Sequence, residues 1–466
     1  MKKVLLAWSV IWSLGSCASY YQANYTFNEE FEKGDLEKAL KSLRSHSSEG
    51  NGKRQFLYEV NNGLLLSMMG RYEESNQYLE KAYLYGEDYR INYLNEIGSY
   101  LTNPNFVSYK GEDHEHLLLL YYKALNYLKL GNKEDALVEC RRLNIREQQL
   151  TDRYASETKF RDDAFIHTLM GIIYEADHDY NNAFIAYRKA LEVYEDEYRK
   201  LFDLGPPGQL KLDILRTAHL SGMDDEMEKY KEQFGMNDYT YQPNKGGELV
   251  FFWHNGLSPV KVEWGVTFVV SRQGGVVFFN NDQLGMSFPF EISGLNEKQV
   301  QGLASMGAMR VAFPKYVERP QYYTSATLSS DSLQYSLMLL EDVNKVAFKC
   351  LEERMGLEFS KALLRVAIKK LEEYEVRKQD ATAGAVLSII NAITEKADTR
   401  NWQTLPHSIF YARVPLKVGL NRFTLDITDV HGRVQHHEFT YEGKTGETRF
   451  HTFTNLESRY PSYGYN

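Results

Sequence analysis

Across residues 24–235 apolar positions recur with the 3.6-residue period of amphipathic helices, in paired blocks separated by short polar turns. The clearest block is 164–195. Gly171 and Tyr174 fall on its first helix, and Tyr180, Ala183, Tyr187 and Ala190 on its second. Small side chains at Gly171 and Ala183 let the two helices approach, and Ala190 leaves room for a following pair. The same grammar recurs at Gly63, Gly70-Arg71-Tyr72 and Ala82, and again at Ala124, Gly131 and Ala136. Weaker copies surround Gly34-Asp35 with Ala39, and Gly222-Met223-Asp224 with Phe234. This predicts about five helical hairpins in series, unevenly spaced because inserts such as residues 101–114 interrupt the stack. Gly205-Pro206-Pro207-Gly208 breaks the helical run before the last hairpin.

The period changes after a linker at 236–247. Residues 248–254 read as a strand, Asn255-Gly256 as a turn, and 264–271, 275–280 and 310–313 as further β structure. Helix is predicted again from 331. Leu333, Leu337, Leu340, Ala347 and Leu351 share one face, Gly356 suits a stop, and Leu364, Ala367 and Leu371 mark a second helix. Arg365, Lys369 and Lys370 lie on that helix's polar side and read as a solvated face. Residues 381–393 form a third, small-residue segment, too short to span a membrane. Alternation returns at 423–427 and 434–441. Strands on both sides of the helices fit one β-sandwich with a helical insertion, or two β modules flanking a helical hairpin; the first is preferred.

The amino terminus changes the picture of where the chain works. Lys2 and Lys3 precede an apolar run at 4–14, then Leu14-Gly15-Ser16-Cys17. This last stretch resembles the lipobox of bacterial lipoproteins. The resemblance implies cleavage that leaves Cys17 as an acylated N-terminus. Ala18 then points to the outer membrane. The alternative is an ordinary secretory signal with an incidental cysteine; both place the mature chain outside the cytoplasm.

Composition narrows the partners. The net charge is −9, with no basic block, which argues against nucleic acid. Cys140 and Cys350 sit in helix-like sequence and read as buried free thiols. No nucleophile elbow, phosphate loop or HExxH motif occurs. His114-Glu115-His116 opens a helix, where the two histidines diverge and surface exposure is expected. His436 and His437 alternate across a strand, so no metal site is expected at either place. No cofactor is expected.

The paired-helix pattern resembles the tetratricopeptide (TPR) repeat, which implies a right-handed superhelix with a concave binding face. Four further stretches extend the likeness: residues 255–261, 313–316, 362–369 and 397–406, the last continued by Ala412-Arg413-Val414-Pro415-Leu416. Together they resemble a family of TPR-containing bacterial envelope lipoproteins with no established activity. Within the last stretch, Asp398 and Arg400 are expected to pair or to cap the end of the third helical segment, and Trp402 to pack over the β-sandwich. A ligand site at Arg400 and Trp402 is the alternative.

The expected architecture is α+β: an N-terminal all-α TPR superhelix, then a β-sandwich-like domain with a helical insertion. Its expected parts are a signal peptide (1–16), a lipidated tether (17–23), the repeats (24–235), a linker (236–247), a first β part (248–330), a helical insertion (331–396), a second β part (397–454) and a surface tail (455–466). The expected function is a non-enzymatic scaffold of the outer membrane. It would hold other envelope proteins in the concave face and the membrane through Cys17. The alternatives are a glycan- or nutrient-binding lipoprotein of the SusD kind, and an envelope hydrolase with its site between the two halves, marked by perturbed carboxylates.

Overall fold

A computed structural model describes residues 20–93, 107–153, 162–273, 276–291, 307–331, 333–379 and 396–460. Cys17, the signal segment, residues 381–393 and residues 101–106 of the 101–114 insert lie outside these residues. The chain is mixed α+β.

Among the described residues five helical hairpins run in series: α2 (Tyr25–Glu32) with α3 (Leu36–Ser45), α4 (Gln55–Met68) with α5 (Tyr72–Tyr93), α6 (Asp113–Lys129) with α7 (Lys133–Arg153), α8 (Ala164–Ala176) with α9 (Tyr180–Val193), and α11 (Gly208–Leu220) with α12 (Asp224–Phe234). A short α1 (Tyr20–Ala23) precedes them, and α10 (Arg199–Phe202) follows a π-helical turn, Tyr194–Tyr198. The small residues sit where helices cross. A Cβ on Gly63 would stand 2.5 Å from Leu79 Cδ2, and one on Gly171 would stand 2.4 Å from Tyr187 Cδ1. Gly131 turns the chain between α6 and α7 at φ +77°, a conformation glycine adopts without strain. Ala82, Ala124, Ala136, Ala183 and Ala190 are buried, whereas Tyr174 is half-buried; Tyr72 and Tyr180 are half-buried first residues of second helices.

Twelve strands follow among the described residues, β1 (Glu248–Asn255), β2 (Val260–Gln273), β3 (Val276–Asn281), β4 (Met286–Glu291), β5 (Ala308–Val317), β6 (Tyr323–Ser330), β7 (Leu333–Ser336), β8 (Met338–Asp342), β9 (Ser408–Pro415), β10 (Gly419–Asp429), β11 (Val434–Gly443) and β12 (Thr448–Asn455). They form three sheets among the described residues, ordered β12-β1-β9-β8, β11-β10-β6-β7 and β4-β3-β2-β5. The first two share one apolar core. Leu249, Phe251 and Trp253 from β1 meet Leu328 from β6 and Phe423, Leu425 and Ile427 from β10. The third sheet packs instead on α13 (Val343–Gln379), where Phe268 and Phe313 meet Phe359, Leu363 and Val366. Strands β2 to β5 therefore form a separate layer, which the single-sandwich expectation does not contain.

Several boundaries differ from the sequence reading. Residues 333–342 are strands β7 and β8, and the helix begins only at Val343. The i, i+4, i+7 spacing of Leu333, Leu337 and Leu340 imitates a helix, but pairing with β6 and β9 wins. Gly356 does not stop α13, which continues to Gln379. Tyr20 and Tyr21 are buried, so residues 20–23 are docked helix rather than free tether. The 236–247 linker is tied at its end, where Gly246 N donates to Leu416 O at 3.0 Å. Residues 455–460 are pinned as well: Trp253 Nε1 donates to Asn455 Oδ1 at 2.7 Å, and Arg459 N donates to Pro320 O at 2.9 Å.

Candidate functional site

The alternation of β1 places the two halves of the chain against each other. Successive side chains on a strand point to opposite faces. Leu249, Phe251 and Trp253 face the sandwich core, while Val250 and Phe252 join the core of the helical array. The sheet β12-β1-β9-β8 is thus covered on both sides, by a sheet on one and by helices on the other.

Residues 402–413 run along this seam and bond to the first helix of every hairpin. Gln403 Nε2 donates to Asn28 Oδ1 of α2 at 2.5 Å, and Thr404 Oγ1 to Asn61 Oδ1 of α4 at 2.7 Å. Trp402 N donates to Glu115 Oε1 of α6 at 2.6 Å. Arg413 Nη2 lies 2.9 Å from Glu175 Oε2 of α8, and Tyr411 OH donates to Asp213 Oδ2 of α11 at 2.6 Å. The side of the array assigned from sequence to an outside partner is, along these first helices, occupied by the chain's own sheet.

Charge is buried at the seam in sets of opposite sign. Arg413 meets Glu175, Asp213 and Glu248, and Arg216 bonds Glu175 at 2.6 Å and Asp213 at 2.5 Å. Burial pushes the Glu175 carboxyl up, but Arg216 and Arg413 outweigh it and bring it down to about 2. A second set surrounds the start of α6. Lys261 Nζ lies 2.5 Å from Glu112 Oε1, and Arg354 pairs with the same carboxylate. Burial opposes ionisation of Glu112, yet Arg354 and Lys261 hold it at about 2. Burial, with the neighbouring Glu112 charge, pushes Glu115 up to about 7. Tyr109 OH donates to Glu115 Oε2 at 2.8 Å.

Arg400 and Asp398 are brought together. Arg400 Nε and Nη2 reach Asp398 at 2.8 and 2.7 Å, and Nη1 donates to Lys53 O at 3.2 Å and Val107 O at 2.8 Å. Arg400 is 4% exposed, so its guanidinium is spent on the fold and offers no open ligand face. Trp402 packs toward α6, 6.2 Å from the Tyr122 ring, and belongs to the helical core rather than to the sandwich core. The third helical segment, which Asp398 was expected to cap, lies outside the described residues.

His114 and His116 are buried, not superficial. They do diverge: His116 Nε2 contacts Lys110 O at 2.7 Å, and His114 lines a small cavity. Burial lowers His114 to about 4, so the ring is neutral. His436 is exposed beside Asp426, whereas the His437 ring lies 4.7 Å from that of Phe453. Among the described residues no cluster suited to a metal ion occurs, and Cys140 and Cys350 are buried free thiols.

Sequence reasoning missed Asn28, Asn61, Glu175, Asp213 and Arg413 as a set. For Asn28, Asn61, Glu175 and Asp213 the available signal was a polar residue on the buried side of a first helix; Arg413, on β9, carried no such signal. Each such position demands a partner once buried.

No family model matches the chain, and no curated protein matches it. Solved structures resemble about half of it. The MamA protein aligns with TM-score 0.28 and 14% identity over 47% of this chain and 94% of that one. BtubC (BKLC) from P. vanneervenii aligns with TM-score 0.30 and 15% identity, over 46% and 80%. A tetratricopeptide repeat protein from Parabacteroides merdae aligns with TM-score 0.28 and 17% identity, over 46% and 63%.

Proposed function

We propose that this chain is a non-enzymatic interaction scaffold of the bacterial envelope, built on tetratricopeptide-like hairpins and held to the outer membrane by acyl chains on Cys17. The lipobox-like stretch supports the anchor, and no helix among the described residues is long and apolar enough to cross a membrane. The observation that carries the scaffold reading is the bonding of all five first helices to residues 402–413. It joins array and β region into one body whose second helices face outward. Those helices present Leu84, Ile145 and Ile185, each more than half exposed, to a protein partner.

A hydrolase between the halves would need carboxyls that a substrate can reach. Raised carboxyls do lie there, at Glu115, Asp163 and Glu341, but all three are buried. The cavity beside Asp163 and Glu341 measures ≈ 10 Å³, room for about one water molecule. This favours a structural role for the seam.

The test is recovery of the full-length lipoprotein from cross-linked membranes, beside a variant carrying Leu84→Glu, Ile145→Glu and Ile185→Glu. Envelope proteins that co-purify with the natural chain and are lost from the variant support the scaffold. Equal recovery from both moves the binding surface off these helices. An enrichment of nothing removes the scaffold reading, and an outer-membrane importer as the partner replaces it with nutrient binding.

A further inference from the structure

Tyr198, in the π-helical turn after α9, stands between two carboxyls. Its hydroxyl oxygen lies 2.8 Å from Asp163 Oδ1 and 2.8 Å from Glu341 Oε2. All three groups are buried where the helical array meets β8. A phenol owns one hydrogen, so it donates across only one of the two contacts. The other is a hydrogen bond only if the carboxyl supplies the hydrogen. Two ionised carboxylates would leave one oxygen pair repelling.

The neighbours decide which carboxyl that is. Asp163 caps α8, and its Oδ1 accepts from Phe165 N at 2.9 Å and from Ile166 N at 3.2 Å. Donors converging on one oxygen favour its ionised form. Glu341 enters from β8, and the helix end that follows at Val343 is capped by its neighbour Asp342, which accepts from Lys345 N at 3.0 Å. We propose that Glu341 is a neutral carboxylic acid in the native protein, donating to Tyr198, which donates to Asp163, and that this proton chain makes the seam a pH-sensitive latch.

The surrounding charges agree with this assignment. From α8, His167 Nε2 meets Asp162 at 2.7 Å, and Asp162 also pairs with Lys189 of α9 at 2.6 Å. Glu197, in the same turn as Tyr198, accepts from Asp162 N at 3.3 Å. From the other side, Asp342 accepts from Lys345 N at 3.0 Å, and Lys345 Nζ donates to Phe202 O at 2.6 Å. His114 of α6 shares the small cavity and is neutral. Burial raises Glu341 well above the usual carboxyl range, and the Asp163 and Asp342 charges push the same way. Burial also raises Asp163, to about 6.

The native state therefore holds a proton that the unfolded chain releases near its ordinary value of about 4.3. Stability from this group is complete below that value. It declines as pH rises and is lost through the native value of Glu341.

The experiment is urea unfolding of the full-length protein in detergent, from about pH 5 to about pH 9, for the natural chain, Glu341→Gln and Glu115→Gln. The glutamine amide still donates to Tyr198 but cannot ionise. The natural midpoint should fall with rising pH, and Glu341→Gln should at least halve that fall. Glu115→Gln should leave the Glu341 share in place. An unchanged slope in Glu341→Gln overturns the proposal. Infrared spectra of the natural chain carrying ¹³C-carboxyl glutamate give a reading that needs no variant to fold. A protonated glutamate band should persist above the pH at which Glu115 ionises, and its absence overturns the proposal.

Discussion

Arg413 of β9 lies 2.9 Å from Glu175 of α8, across the seam between sheet and helical array, and both side chains are at most 4% exposed. The two residues are far apart in sequence, and each has further partners. Glu175 bonds Arg216, and Arg413 meets Asp213 and Glu248. The pair is one part of a network of two guanidiniums and three carboxylates that no single strand or hairpin could complete.

Removing one member should be severe. Arg413→Ala leaves Glu175, Asp213 and Glu248 short of a buried cation, at a cost of ~3–5 kcal/mol. The expected result in urea unfolding is a lower midpoint with helix and sheet signals still moving together. Replacing Glu175 and Arg413 together by methionine should cost less than Arg413→Ala, because no orphaned charge is created at that pair. Equal losses would mean that packing, not charge, sets the effect.

The acid limb of stability should be set by carboxylates held low. Glu112 and Glu175 are brought to about 2 in the folded chain, against about 4.3 when unfolded. Their stabilisation is present above the unfolded value and is lost as pH falls toward about 2. Glu112→Gln should lower stability at neutral pH, since Lys261 and Arg354 lose their counter-charge, yet flatten the decline below about pH 4. Acid titration of tryptophan fluorescence checks both parts.

The helical hairpins were legible because their signals are local. Gly63 and Gly171 mark close crossings, and the buried alanines follow the helical period. Leu333, Leu337 and Leu340 misled because short strands carry too few residues to establish a period, and β9, the partner of β8, lies far along the chain. The seam was illegible for a related reason. Asn28 and Gln403 are 375 residues apart, and neither side chain by itself announces the other. Asp398 and Arg400 were readable as a pair because only Thr399 separates them, but their hold on Lys53 O and Val107 O was not.

Arg400 should act as a clamp on two backbone segments. Its guanidinium reaches Asp398, Lys53 O and Val107 O at once and lies 5.2 Å over the Tyr109 ring. Arg400→Lys keeps the charge but has no planar fork for these directions. Hydrogen exchange should accelerate in residues 107–112 in that variant, while the five hairpins stay protected. Unchanged exchange there would remove the clamp.

Three glycines of the repeat pattern, Gly63, Gly131 and Gly171, should respond differently to alanine. Gly171 faces the flat ring of Tyr187, with Cδ1 and Cε1 each 2.4 Å from the added Cβ. Tyr187 is fully buried and its hydroxyl donates to Glu175 at 2.9 Å, so the ring cannot swing aside without breaking that bond. Gly171→Ala should cost ~1–3 kcal/mol from overpacking. At Gly63 the nearest atoms are Leu79 Cδ2 and Cγ, at 2.5 and 2.6 Å, and Ser75 O follows at 3.4 Å. A leucine rotates more freely than a bonded tyrosine, so Gly63→Ala should fall below Gly171→Ala. Gly131 has nothing within 4 Å of a new Cβ, and its φ of +77° is the only obstacle. Gly131→Ala should therefore cost ~1–2 kcal/mol through backbone strain alone. Gly131→Asn, which tolerates that conformation better, should recover part of the loss. Packing at Gly171 has no such remedy, so rescue by asparagine at position 131 but not at 171 separates the two mechanisms in thermal unfolding.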